Sequence, residues 1–323
     1  MIMKYHLGID LGGTNIAVGV VDSDFNIIGE ASIPTGTPDT PEHIADRMAQ
    51  ASRAAVQNAG LTMDEIESVG IGSPGSVDPH KGIVQNAFNL DFVNTPLRQL
   101  LGERLNKPVY LENDANAAAY GEVMAGAAKG FENVVVITLG TGVGGGILVN
   151  GKIITGASYC GGELGHMGMV YDGEQCTCGR KGCVEAYCSA TALIRQTKRK
   201  MQETPDSLMW EVVGGDIEKV NGRTSFDAME KGDKAAKEVV DQYISYLGFA
   251  VCSIINLLQP EIILIGGGIS KQGEVLLAPI REMMLKETFC KEPERNTILA
   301  AATLGNNAGI IGAAALHRLY SEK

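Results

Sequence analysis

Three cysteines and a histidine crowd into residues 166–183: His166, then Cys176-Thr177-Cys178-Gly179-Arg180-Lys181-Gly182-Cys183. Three thiols and one imidazole match a closed Cys3His tetrahedral zinc site. Such a site is structural, because no position is left for water. The spacing, one residue between the first two cysteines and four before the third, is not the commonest for zinc fingers. Free thiols or a redox pair are the competing readings. Cys160, Cys188, Cys252 and Cys290 lack any such context and read as packing thiols.

A second kind of chemistry is written in glycine. Asp10-Leu11-Gly12-Gly13-Thr14-Asn15 follows an apolar strand pattern, and Leu139-Gly140-Thr141-Gly142 follows another. Glycine lets backbone N–H groups approach an anion without interference from Cβ, and Thr14 adds a hydroxyl donor. One such turn is most often only a turn. Two of them, facing each other, would clamp a polyphosphate, and Gly266-Gly267-Gly268 repeats the arrangement after a third apolar strand. Asp10 could hold Mg²⁺ through water, since Mg²⁺ takes few carboxylates beside phosphate oxygens. No GxxxxGK[ST] loop occurs, and the first turn leads into a strand where a dinucleotide fingerprint requires a helix.

The third candidate is Asp114, within Leu111-Glu112-Asn113-Asp114-Ala115-Asn116. It falls in the first turn of an expected helix, where the macrodipole favours an ionised carboxylate. A carboxylate there can take a proton from a hydroxyl that attacks a γ-phosphoryl group. Taken alone, an aspartate here is more often an N-terminal helix cap. Asn113 could hold a neighbouring hydroxyl as donor and acceptor.

The elements that must position these residues alternate between strand and helix. Strands are expected at His6–Asp10, Ile16–Val21, Ile27–Ser32, Val69–Gly72 and Val109–Leu111. Others follow at Asn133–Leu139, Gly145–Val149, Lys152–Thr155 and Glu261–Ile265. Helices are expected from about Pro41 to Ala59, Asp114 to Ala125, Asp233 to Leu258 and Ala308 to Tyr320. Residues 156–188 read as irregular. The two strand–glycine turn–strand units superpose with Leu11 on Leu139, which suggests an internal duplication. The alternation predicts an α/β architecture. At 323 residues the chain has the length of two domains. The duplication places the division at a small domain of residues 1–118 and 305–323 and a large one of 119–304, which carries the Cys-rich loop.

Lys and Arg number 27 against 38 Asp and Glu, a net charge of −11. That balance argues against binding to nucleic acid or anionic membranes, which needs clustered cations. The N-terminus reads straight into a strand with no leader-like apolar region. No uncharged apolar run is long enough to span a membrane. The odd count of 7 cysteines points to a reducing, cytoplasmic setting.

Asp10–Asn15, Leu139–Gly146 and Gly266–Ser270 resemble the two phosphate segments and the adenosine segment of the sugar kinase/actin/Hsp70 superfamily. Asn113-Asp114 and the run from Glu163 to Glu185 resemble the ROK family (repressors, open reading frames, kinases) within it, across nearly the whole chain. The resemblance implies a two-domain actin-like ATPase (ribonuclease H-like) fold with a cleft between the domains. It implies ATP with Mg²⁺ on Asp10, Gly12, Gly13, Thr14, Asn15, Gly140, Thr141, Gly142, Gly266, Gly267 and Gly268. It implies a hexose held by Gly75, Asn89, Asn113, Glu163, His166 and Glu185, with Asp114 as base, and zinc on His166, Cys176, Cys178 and Cys183. Family members often carry an aromatic residue two beyond Leu90, where Phe92 stands. The pattern looks most like bacterial ROK glucokinases, which act on the 6-hydroxyl of glucose. Fructose, mannose, allose and N-acetylmannosamine kinases share the motifs. Such kinases are homodimers or homotetramers. The family's sugar-responsive repressors carry a helix-turn-helix domain ahead of the first glycine turn. Here nine residues precede Asp10, which argues against that role, and an actin-like or chaperone-like ATPase would need neither Asn113-Asp114 nor the Cys loop. Polyphosphate in place of ATP suits an acidic chain poorly.

Overall fold

The computed structural model describes residues 4–292 and 296–321. The chain opens with β1 (Tyr5–Leu11), β2 (Asn15–Val21) and β3 (Ile27–Pro34), then helix α1 (Pro41–Asn58) and strand β4 (Ile66–Ser73). Thr40 caps α1 by accepting from the His43 amide at 3.3 Å, and Pro41 takes the first helical position, where no N–H is needed. A small antiparallel sheet of β5 (Ser76–Asp78), β6 (Ile83–Ala87) and β7 (Phe92–Thr95) follows, then α2 (Leu97–Leu105), β8 (Val109–Asn113) and α3 (Asp114–Ala125). Next come β9 (Val134–Leu139), β10 (Val143–Val149) and β11 (Lys152–Ile153).

After the Cys-rich loop the chain is mostly helical: α4 (Glu185–Cys188), α5 (Ala190–Glu203), α6 (Met209–Val212), α7 (Thr224–Glu230) and α8 (Lys234–Leu258). Strand β12 (Ile262–Gly267), helix α9 (Glu274–Glu287) and strand β13 (Ile298–Ala301) precede the closing helices α10 (Asn307–Ala315) and α11 (His317–Tyr320). The expected last helix is therefore two. Helices α2, α5 and α9 had no expectation. Pro279 sits inside α9, against its own propensity.

The two large sheets have matching orders, β3-β2-β1-β4-β8 and β11-β10-β9-β12-β13. In each, a three-strand meander is extended by two later strands. The duplication read from the glycine turns is thus present in the topology. Strand β4 pairs in parallel with both β1 and β8 and is buried on both faces, which explains its nearly continuous apolar run.

By contacts the chain forms two compact units. The first takes residues 1–135, 146–162 and 303–323, and the second 136–145 and 163–302. Residue 118, where the sequence placed a boundary, lies inside α3. That helix stays whole with the first unit because it packs against α10, which also covers β1 and β4. The packing is close: a Cβ on Gly312 would stand 1.7 Å from the Ala117 carbonyl oxygen, so only glycine fits. In the second unit α8 is long and apolar enough to cross a membrane, but 61% of its most apolar window is buried within the protein. It ends at Gln259, whose left-handed φ of 43° precedes Pro260.

Candidate active site

In the first unit, the turn from β8 into α3 sets the geometry. Asn113, not Asp114, is the helix cap: its Oδ1 accepts from the amides of Ala115 at 2.9 Å and Asn116 at 3.1 Å. Its Nδ2 donates to the Gly75 carbonyl at 3.1 Å. Asn113 therefore has no free acceptor role of the kind expected from sequence. Glu112 lies buried beneath, accepting from the Asn113 amide at 2.8 Å, from Asn116 Nδ2 at 3.0 Å and from the Tyr320 hydroxyl.

Freed from capping, the half-buried Asp114 accepts from the amide of Ala115 at 2.8 Å. Burial pushes its carboxyl above the usual carboxylate range, outweighing the amide and Asn113 bonds that pull it down. Asp10, next to last in β1, is pushed up to about 6, first by burial and then by the negative charge of Asp114. Two carboxylates in one another's field create a place where a cation relieves repulsion.

The first glycine hairpin is held by threonines. Thr35 Oγ1 donates to the Gly12 carbonyl at 2.6 Å and Thr37 Oγ1 to the Gly13 carbonyl at 2.7 Å. Thr14 and Asn15 are exposed, and Asn15 Nδ2 donates to Ser32 Oγ. Asn89 packs directly against Gly13. Phe92, by contrast, is fully buried in the core; the exposed aromatic in this stretch is Phe88. The reason is register: Phe92 opens β7 opposite Ala87 on its inner face.

In the second unit the other hairpin uses the same device. Thr191 Oγ1 donates to the Thr141 carbonyl at 2.8 Å, and the Ala190 amide to the Gly140 carbonyl at 2.8 Å. Gly267 and Gly268 are exposed at the end of β12, while Gly266 is buried, and Ser270 Oγ donates to the Gly267 carbonyl at 2.8 Å. Glu163 is exposed and precedes a short 3-10 turn, Leu164–His166, that presents His166.

His166, Cys176, Cys178 and Cys183 converge, with all four ligand atoms within 4.8 Å of one another. Cys176 Sγ lies 3.7 Å from His166 Nδ1, and Cys178 Sγ 3.7 Å from Cys183 Sγ. A tetrahedron with Zn–S bonds of about 2.3 Å has edges of about 3.8 Å. A disulfide would need about 2.05 Å, and all seven cysteines are free. The residues fit a zinc ion, with Nδ1 as the histidine ligand atom. The loop is braced by Arg180, whose Nη1 donates to the His166 carbonyl at 3.1 Å, and by the Val184 amide on the Met167 carbonyl at 2.9 Å. Outside this cluster, Cys188 and Cys252 are buried as expected, whereas Cys160 is exposed, its Sγ 3.6 Å from the Ser158 carbonyl.

Glu185 opens α4 half-buried. Its Oε1 accepts from Thr177 Oγ1 at 2.9 Å and its Oε2 from the Val143 amide at 3.0 Å. The structure thus adds Thr35, Thr37, Thr177, Thr191 and Glu112 to the residues read from sequence. Thr35, Thr37 and Thr191 meet partners 23, 24 and 50 residues away, so no local pattern marked them.

The ROK family model matches residues 6–319. The chain belongs to the ROK family. This ROK protein is 38% identical over 314 residues to a glucokinase from Thermotoga maritima, covering 96% of each chain. It superposes with a TM-score of 0.80 on the structure of a ROK family glucokinase from Streptomyces griseus in complex with glucose and AMPPNP. The identity there is 36%, covering 98% of this chain and 99% of that one. Its fold is therefore the actin-like sugar kinase fold. A xylose repressor from Caldicellulosiruptor bescii is more distant, at 27% identity over 96% of this chain and 77% of the repressor.

Proposed function

We propose that this protein is an ATP-dependent glucokinase that transfers the γ-phosphoryl group of ATP to the 6-hydroxyl of glucose. The observation that carries the reading is the division of labour at α3: Asn113 caps the helix and leaves Asp114 available as a base. Asp114 takes the proton of the 6-hydroxyl as its oxygen bonds to the γ-phosphorus and the bond to the ADP oxygen breaks. Asn89, Asn113, Glu163, His166 and Glu185, with the Gly75 turn, orient the sugar hydroxyls. The backbone of Gly12–Asn15 and Gly140–Gly142 takes the phosphates, and Gly266–Gly268 the adenosine. Asp10 would hold the Mg²⁺ that accompanies ATP, whose charge would offset the mutual repulsion of Asp10 and Asp114.

Zinc on His166, Cys176, Cys178 and Cys183 supplies no chemistry in this scheme. It fixes the loop that carries Glu163, His166 and Glu185, leaving His166 Nε2 for the sugar. The proposal extends to a cytoplasmic homodimer or homotetramer, readable by light scattering.

Identity of 38% with a glucokinase, against 27% with a repressor, favours the kinase over a sugar sensor. A coupled assay with ATP and glucose, fructose, mannose, allose or N-acetylmannosamine tests the proposal. Glucose is expected to give the highest kcat/KM, and no turnover with any of them ends it. Asp114→Ala is expected to lower kcat by about 10²–10⁴ while glucose binding, measured by calorimetry, stays within a few-fold.

A further inference from the structure

Glu185 is bonded on both sides within the second unit. Its Oε1 meets Thr177, the residue between the ligand-geometry cysteines 176 and 178. Its Oε2 meets the Val143 amide, immediately after the second glycine hairpin. The approach to the hairpin is close: a Cβ on Gly142 would stand 2.3 Å from Oε2. Any side chain there would push the carboxylate away, so glycine at 142 serves this contact as well as a phosphate.

We propose that Thr177 is a positioning residue that orients Glu185 from within the metal loop, and that Glu185 ties hexose recognition to the second phosphate hairpin, so that hexose and nucleotide strengthen each other's binding. The inference rests on the glucokinase reading above, in which Glu185 binds the sugar.

A carboxylate offers about four acceptor positions, two on each oxygen. Thr177 and Val143 take one on each and leave one on each for sugar hydroxyls. A sugar that fixes the Glu185 carboxylate therefore also fixes the Val143 amide and the hairpin turn before it. Thr177 is held by a ligand residue on either side, so its hydroxyl has a defined direction. Cys176 Sγ also lies 3.6 Å from Oε1, but a metal-bound thiolate has no proton to donate, which leaves Thr177 as the donor on that side. Coupling of this kind is reciprocal: if glucose tightens nucleotide binding, the nucleotide tightens glucose binding by the same factor.

Thr177→Val removes the hydroxyl and keeps the shape. Calorimetry on the wild-type protein should show a non-hydrolysable ATP analogue binding about tenfold tighter with saturating glucose than without it, within the usual range of site–site coupling. In Thr177→Val that ratio should fall toward one. Glucose KM should rise roughly tenfold, the factor expected for a lost hydrogen bond to a charged acceptor. Zinc content should be unchanged, and Thr177→Ser should restore both affinities. A purely structural role would not separate the coupling ratio from metal content. An active wild-type enzyme with Thr177→Val indistinguishable from it overturns the inference alone. Loss of zinc from Thr177→Val overturns it by making the effect one of folding. A wild-type protein that phosphorylates no hexose overturns the functional reading and this inference together.

Discussion

Asp114 stands first in α3, a position where an aspartate usually caps the helix. Asn113 does that work instead, and the consequence is a carboxylate with spare acceptor capacity in a buried, negatively charged neighbourhood. A base must be deprotonated to act. The neighbouring Asp10 is protonated below about pH 6. Protonating Asp10 would weaken its hold on Mg²⁺, so log kcat/KM is expected to fall on the acid side of about pH 6, read from a pH–rate profile of the free enzyme. The same shifts make a stability prediction. The folded protein holds these protons more tightly than the unfolded chain, so the two carboxyls favour folding below pH 4. For Asp10 that contribution is lost as pH rises through about 6. Asp114→Asn should abolish turnover yet raise stability at pH 7, with the gain vanishing near pH 4. Thermal melts at the two pH values check it, and an unchanged or lowered Tm at pH 7 would contradict it.

At the scale of elements, the catalytic turn at the start of α3 depends on a helix that carries no chemistry. α10 lies on β1, β4 and α3 through glycine and alanine, and Gly312 has no room for a methyl group beside Ala117. Gly312→Ala should destabilise the first unit by about 2 kcal/mol, seen as a lowered Tm, because overpacking forces the helices apart. Glu122, buried in α3, accepts from the amides of Thr303 at 3.0 Å, Leu304 at 2.8 Å and Ala127 at 2.9 Å. It gathers the chain leading into α10. Glu122→Gln keeps the shape but loses charge-assisted bonds, and should lower stability by about 1–3 kcal/mol with glucose KM little changed. The strand–glycine–strand units and α3 were legible because their periodicity and turns are local. α9 was not, since Pro279 breaks the helical pattern that tertiary packing nevertheless enforces. Phe92 stands two beyond Leu90, where family members often carry an aromatic residue. Its strand register turned it into the core instead.

For the whole molecule, two sheets of one strand order carry two glycine hairpins, each braced by threonine hydroxyls. The second unit adds a loop that a metal can fix. Metal analysis is expected to find one zinc per chain. Chelation, or Cys183→Ser, should raise glucose KM by about tenfold or more while α/β content by circular dichroism is kept. Full glucose affinity in zinc-free protein would remove the loop from the binding argument.

The amino-acid sequence by itself determined the chemistry on offer: a thiol–imidazole cluster, three glycine turns after apolar strands, and an acid beside an asparagine at a helix start. Spacing along the chain carries that information, because turns, caps and ligand loops are built from neighbours. The tertiary structure decided which groups serve and which support. Whether Asn113 or Asp114 caps α3, whether Phe92 faces ligand or core, and what holds Glu185 are settled by contacts between distant residues. Burial and hydrogen-bond competition choose among alternatives that are locally equivalent.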